Sequence, residues 1–281
     1  MFQSFTIKID LKGEDADPIF FKKDDCSFFF QSVCDGLGKA DPNIYKSEKE
    51  ERTGAYFASR LASKATLQVF EEYWQQFNSF NHLEFPFFLR NGILQEFKKA
   101  LASELKQTTF NEANPSFRTF ATTLSILIYA LPESNRIEMY SYSNGTSRNY
   151  YLTPDSGLHQ ITKDDSKNRN MLICNYCSLD YDFMIHSDRQ NSFLPVIILS
   201  TSDGGFLSFA DNHEFEIFLL ESLLESSTIS EMKEILIRKY KKVIKDDISM
   251  VLTFVSERET FDELKKDFIS RMKYIKEGKD E

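Results

Sequence analysis

Three acidic positions stand at the ends of apolar runs. Asp35-Gly36 follows "FFFQSVC", Asp203-Gly204-Gly205 follows "VIILSTS", and Asp246-Asp247 precedes "ISMVLTFV". Asp and Gly are poor strand residues, so each pair marks a tight departure from a strand. Taken singly, each is an ordinary turn. Taken together, strand ends can converge, and clustered carboxylates suit a hard divalent cation such as Mg²⁺ or Mn²⁺, which binds carboxylate, carbonyl and water oxygens. A glycine after the aspartate lets a backbone carbonyl approach such an ion. Without a cation the carboxylates repel one another. Two ions bridged by a shared carboxylate would activate a water for in-line attack on phosphorus.

Other chemistries find less support. His82, His159, His186 and His213 are scattered, with no HxH or HxxxH spacing. There is no G-x-S-x-G nucleophile motif, and "DGLGKAD" lacks the spacing of a P-loop. Cys174 and Cys177 form a CxxC in "LICNYCSLD", but zinc would need two more ligands, and Cys26 and Cys34 lie far away in sequence. The favoured reading is reduced, structural or incidental thiols. The net charge of -9 argues against nucleic-acid backbone binding, and the basic run "IRKYKKVIK" reads as a solvated helix face. No apolar run approaches the roughly 20 residues that span a bilayer, and "MFQSFTIKIDLKGED" lacks a signal-peptide pattern, so the expected location is cytoplasmic, with no membrane partner.

Several elements must position the acids. "FQSFTIKIDL" and "CSFFFQSV" read as strands, joined by the turn-rich connector "GEDADPIFFKKDD"; residues 39–53 read as a loop. From Gly54 the residues Phe57, Leu61, Leu67, Phe70 and Trp74 recur at near-helical spacing, and "FPFFLRNGILQEFKKALASEL" suggests a second helix interrupted by Gly92. "TTLSILIYAL" and "RIEMYSYS" read as strands. Asn144-Gly145 reads as a hairpin turn pairing the latter with "SRNYYL". Residues 196–201 form a strand. A helix capped by Asn212, a helix capped by Ser230 or Thr228, the strand "ISMVLTFV" and a C-terminal amphipathic helix at about 258–278 complete the order. The 41% hydrophobic content supports a sizeable core, Phe-rich with 27 Phe, and no linker or repeat stands out, so residues 1–281 are expected to form a single domain. Strands cluster rather than alternate with helices, which favours a layered α+β fold.

At these residues the chain resembles the metal-dependent protein phosphatases of type 2C. Asp35-Gly36-Leu37-Gly38 followed by "GAYFASRLA" resembles their D-G-x-G and A-S motifs. "STSDGG" resembles their S-D-G motif, and "KDDISMVLTFV" their closing D-N-[IL]-[ST] strand. "KKDDC" resembles the N-E-D-A motif before the first D-G, and "TFATTLSILIYA" the G-[ST]-T strand. "GTSRNYYL" and "GLHQITKDDS" resemble the G-D-S-R-[AV]-Y and L-x-x-[LI]-T-x-D-H stretches. The motifs keep the family's order over about residues 22–255.

The resemblance implies a four-layer α-β-β-α sandwich with two central, mostly antiparallel sheets. It implies hydrolysis of phosphoserine or phosphothreonine in proteins by a metal-activated water, without a phosphoenzyme. Two Mn²⁺ or Mg²⁺ ions would be held by Asp25, Asp35, Gly36 (through its carbonyl), Asp203 and Asp246. Asp35 would bridge the ions, Asp25 would act mainly through bound water, and Asp35 and Asp203 would be the catalytic carboxylates. The partners implied are a phosphorylated protein and a cognate Ser/Thr kinase. The chain departs from the pattern at Thr146, where the family has an Asp that supports a third ion, at Asp24, at Leu37 where some members carry His, and at Asp247 in place of Asn. The upstream phosphate-binding Arg has no match; Lys22 or Lys23 are the nearest substitutes. The alternatives are a catalytically weak phosphatase-fold binding or regulatory module and a hydrolase of small phosphoesters.

Overall fold

The structure, a computed structural model, describes residues 1–22, 28–37, 43–77, 79–107, 120–133, 135–162 and 184–278. The described chain opens with β1 (Phe2–Ile9), β2 (Ile19–Lys22) and β3 (Phe28–Val33). Short strands β4 (Ile44–Lys46) and β5 (Glu51–Thr53) lead into α1 (Gly54–Phe77) and α2 (Phe85–Lys99), and a π-helical turn, Ala100–Glu104, precedes β6 (Lys106–Gln107). Six strands follow: β7 (Leu124–Glu133), β8 (Arg136–Asn144), β9 (Arg148–Thr153), β10 (Gly157–Gln160), β11 (His186–Phe193) and β12 (Val196–Thr201). Then come α3 (Asn212–Glu225), α4 (Ile229–Val243), β13 (Ile248–Val255) and α5 (Phe261–Lys276).

Two five-stranded sheets form, in the orders β1-β13-β12-β9-β10 and β11-β8-β7-β3-β2, with β5-β4-β6 as a small third sheet. The described pairings are antiparallel. Side-chain alternation sorts the residues into layers. Phe30, Ile126 and Ile128 face α1 and α2, whereas Phe29, Leu127 and Tyr129 face the other sheet. Ile197, Leu199, Met250 and Leu252 face α3, α4 and α5, whereas Val196, Ile198 and Val255 face inward. The result is the four-layer α-β-β-α sandwich expected from the resemblance.

The interlayer changes character along its length. Stepping two residues along one face turns Phe29 into Gln31, Met139 into Ser141, Ile198 into Ser200 and Val255 into Thr253. The polar residues bond to one another. Gln31 Nε2 donates to Ser200 Oγ (2.8 Å), Ser200 Oγ to Asn149 Oδ1 (2.6 Å) and Asn149 Nδ2 to Ser141 Oγ (2.8 Å), while Thr253 Oγ1 donates to Gln31 Oε1 (3.2 Å). Buried polar groups persist only when paired in this way. The chain of bonds points from the apolar half of the interlayer toward the strand ends that carry Asp35, Asp203 and Asp246.

Several local readings change. Asn144-Gly145 does not close a hairpin: β8 pairs with β7 and β11, and β9 with β12 and β10, so the turn carries the chain from one sheet to the other. Gly145 has φ +90°, a left-handed conformation that suits glycine in a crossover as well as in a hairpin, so the dipeptide alone does not tell them apart. Residues 43–53, read as loop, contain β4 and β5, too short for a period to show. β11 was not anticipated. It is a polar edge strand, paired to β8 and joined across by Arg189 to Glu138 at 3.0 Å, and charge on an edge hides the strand signal while blocking further pairing. The caps are Asp211, rather than Asn212, and Thr228, of the two residues weighed. Gly92 in α2 needs no break: a Cβ there would lie 2.1 Å from Val69 Cγ2, so the glycine lets α1 and α2 approach closely.

Candidate metal centre

Asp35, Asp203 and Asp246 sit at the same end of the two sheets. Asp35 leaves β3 with its backbone fixed: its carbonyl accepts from Thr123 N and Thr122 Oγ1, both at 2.8 Å, and its N–H donates to Thr123 Oγ1 at 3.2 Å. Its side chain is therefore not needed to hold the turn. Ser202 and Ser249 tie the ends of β12 and β13 together, through Ser202 N to Ser249 O and Ser249 N to Ser202 Oγ, both at 2.9 Å. That tie brings Asp203 next to the Asp246-Asp247 pair.

The glycines answer to space. A Cβ on Gly204 would lie 2.0 Å from the Asp247 carbonyl oxygen, one on Gly205 2.0 Å from Thr201 Oγ1, and one on Gly36 2.5 Å from Glu14 O and 2.7 Å from Ala55 O. Backbone passes too close at Gly36 and Gly204 for any side chain, and the Thr201 side chain fills the space at Gly205, so the Asp-Gly pairs are packing requirements of the convergence and not merely turn signals.

A fourth carboxylate joins them. Asp15, between β1 and β2, is fully buried, and its carboxyl lies beside Asp35 and Ser202. Ser202 continues the inward-facing row of Ile198 and Ser200. The segment that carries Asp15 is clamped from both sides. Asp247 accepts from the backbone N–H of Leu11 (2.5 Å), Lys12 (2.7 Å) and Glu14 (2.7 Å), while Ser59 and Arg60 of α1 donate to the Glu14 carbonyl. Asp247 is thus a structural staple. Burial disfavours its charge, but the donors from Lys12, Leu11, Glu14 and Gly13 outweigh burial and hold its pKa below the usual carboxylate value.

The sequence reading missed Asp15. Its signal was present: Glu14-Asp15-Ala16 reproduces the E-D-A of the motif that was matched to "KKDDC". The strand β2 lies between the two stretches, and its hydrogen-bonded place in the sheet shows only in three dimensions. Asp25, Asp24 and Lys23 lie outside the described residues, as do Cys26, Cys174 and Cys177. Cys34 is a buried free thiol, its pKa pushed up by burial and then by Asp15 and Asp35.

The electrostatics of the cluster are those of acids kept from ionising. Burial first, then the negative charge of Asp15 and Asp203, push the Asp35 carboxyl well above its usual pKa. Burial raises Asp15 to about 6, with Asp35, the charge of Lys8 and Ser202 limiting the rise. Asp203 is raised by burial and by Asp246. Asp15 Oδ2 is buried without a hydrogen-bond partner. Among the described residues no three His, Cys, Asp or Glu side chains are arranged as a ready metal cage; the carboxylates lean on one another, and Asp246 is paired with Lys12. The donor set nevertheless fits a hard cation: carboxyl groups that burial and one another keep from ionising, one orphaned oxygen and closely packed carbonyls beside Gly36. Thr146 Oγ1 reaches Asp203 Oδ2 at 3.5 Å, so an uncharged hydroxyl stands where the resemblance places a further carboxylate.

The sign of the linkage follows. A carboxyl whose pKa rises on folding binds more protons folded than unfolded, so stability falls as pH rises from its unfolded value of 3.8 through about 6. Without added metal, Asp15→Asn is expected to be more stable than the parent at pH 7 by about 1–3 kcal/mol, the difference vanishing below pH 4. Urea titrations across that range check it; an advantage that persists at pH 3.5 would contradict the assignment.

No protein-family model matches the sequence, and no curated protein matches it. Solved structures do. The catalytic domain of the serine threonine protein phosphatase PstP, in complex with two manganese ions, is 15% identical, covering 91% of this chain and 99% of that one, with a TM-score of 0.56. The Serine/threonine phosphatase Stp1 from Staphylococcus aureus is 16% identical over 91% and 96%, at 0.55. RsbX in complex with magnesium is 13% identical over 91% and 96%, at 0.52. At these identities the likeness is one of fold.

Proposed function

We propose that this chain, which has the type 2C protein phosphatase fold, is a metal-dependent phosphoric monoester hydrolase that removes phosphate from phosphoserine and phosphothreonine in proteins. The observation that carries this reading is the convergence of Asp15, Asp35, Asp203 and Asp246 from four separate segments, with burial and neighbouring negative charge opposing the ionisation of the first three. In this reading Asp35 and the Gly36 carbonyl, with Asp203 and Asp246, would hold two Mn²⁺ or Mg²⁺ ions, Asp203 and Asp246 serving the second, and Asp15 would support the first through Asp35. When bound, the ions supply a nucleophilic water at neutral pH and offset the charge that gathers on the phosphoryl oxygens. The protein's own part is to hold the carboxylates in fixed places, through the backbone of Asp35, the Ser202–Ser249 bonds and the Asp247 carboxylate rather than through the reacting side chains. The names of the neighbours support a phosphoprotein substrate, and such a substrate would be made by a Ser/Thr kinase.

The test is release of phosphate from a phosphothreonine peptide with Mn²⁺, with a chelator, and in competition with a small aryl phosphate. Turnover that needs Mn²⁺ and favours the peptide is expected. Undiminished turnover in chelator would sink the metal-dependent reading, and preference for the aryl phosphate would move the substrate class to small phosphoesters. A weakly catalytic binding module is the second reading. Thr146 favours it, because its hydroxyl adds no charge to the cluster beside Asp203. Tight phosphopeptide binding with no turnover would support that reading.

A further inference from the structure

The carboxylates of the cluster are not equivalent. Burial and neighbouring negative charge oppose the ionisation of Asp35 and Asp203. Asp246 already has a cation on it. Lys12 Nζ lies 2.9 Å from Asp246 Oδ1 and 3.1 Å from Oδ2, so one ammonium engages both oxygens. The ammonium is not there by chance of a long side chain on an open surface. The Lys12 backbone N–H donates to Asp247 Oδ1 at 2.7 Å, and Asp247 in turn donates its own N–H to Asp246 Oδ1 at 3.0 Å. The lysine is thus anchored one residue away from the carboxylate that it neutralises, and its neighbours Leu11 and Glu14 are anchored on the same Asp247 carboxylate.

We propose that Lys12 is a built-in competitor for the cation at Asp246, so that divalent ions fill the Asp15-Asp35 side first and occupy the Asp203-Asp246 side only by displacing the lysine ammonium. This inference rests on the metal-dependent reading above. It makes the second ion the weaker one, and it makes its binding sensitive to ionic strength. Both partners of the pair are about half exposed, at 48% and 47%. An exposed pair is a modest competitor, so the effect is graded rather than a block. Removal of the ammonium is expected to tighten the weaker ion by about fivefold, close to 1 kcal/mol.

The experiment is a Mn²⁺ titration, Mn²⁺ being the only added ligand, followed by the electron paramagnetic resonance of the free ion and by calorimetry. The proteins are the parent, Lys12→Met and Lys12→Arg. Because Lys12 holds its segment through the backbone N–H, neither substitution removes that anchor; Lys12→Gln serves if Lys12→Met does not fold. The expected result is a weaker class of Mn²⁺ site tightened about fivefold in Lys12→Met, a tighter class changed by less than about twofold, and parent-like behaviour in Lys12→Arg. The difference should shrink at about 0.5 M salt, where exposed charges are screened. Equal weaker-site affinity in the parent and Lys12→Met, or equal tightening of both classes, overturns the proposal while leaving metal dependence intact. Absence of Mn²⁺ binding in all three proteins overturns metal dependence itself, and the proposal with it.

Discussion

Replacement of Asp35 by asparagine is expected to lower Mn²⁺-dependent hydrolysis of a phosphothreonine peptide by about 10³-fold, while the folded protein survives. Loss of one fixed charge-stabilising group at a reacting centre costs about 10²–10³ in rate. The upper end applies because Asp35 in the proposed site serves both ions. The fold survives because Asp35 is held by its backbone, through Thr122 and Thr123, and not by its carboxylate. The substitution is nearly isosteric and removes the acid that burial and its neighbours most oppose. The metal-free variant should therefore melt no lower than the parent at pH 7, and Mn²⁺ should raise its melting temperature less than it raises that of the parent. Activity and melting measured on the same preparations decide the matter. Loss of activity with a collapsed melt would show only that the variant misfolds, and Asp203→Asn then provides the second reading. Retained Mn²⁺-dependent turnover in both folded variants would remove these carboxylates from the chemistry.

The second large effect lies away from the cluster. Arg271 of α5 and Glu216 of α3 form a buried pair, with Nε to Oε1 at 2.6 Å and Nη2 to Oε2 at 3.2 Å, their side chains only 8% and 5% exposed. Glu216 also accepts from Leu158 N of β10 at 3.1 Å. Gly157, at φ +78°, leaves the space that the guanidinium fills, since a Cβ there would lie 2.3 Å from Arg271 Nη2. The pair joins two helices to the edge of a sheet. Glu216→Ala strands a buried guanidinium and a backbone N–H, and is expected to cost about 3–5 kcal/mol in urea unfolding. The double variant Glu216→Leu with Arg271→Met leaves no buried charge and should recover a good part of that loss. A double variant no more stable than Glu216→Ala would mean that the charge is not what the site cannot lose.

The sequence by itself determined what short-range physics dictates. The long helices and the apolar strands could be read from their periodicity, because burial of one face repeats at 3.6 or 2 residues whatever the rest of the chain does. The acid-glycine pairs at strand ends could be read from residue type, and their ordered resemblance to one phosphatase family pointed to the sandwich. The tertiary structure decided the rest. Whether Asn144-Gly145 joins strands of one sheet or carries the chain to another depends on which distant strands claim β8 and β9, and the same left-handed turn serves both. Asp15 belongs to the cluster only because Asp247, 232 residues away by number, gathers the backbone of residues 11–14, and no local pattern records such a contact. Asp246 and Asp247 look alike in sequence. Burial and donors separate them: one turns to a lysine at the surface, and the other becomes an internal staple. A carboxylate's role is set by the solvation and the partners it finds after folding, and these come from segments that meet only in the folded chain.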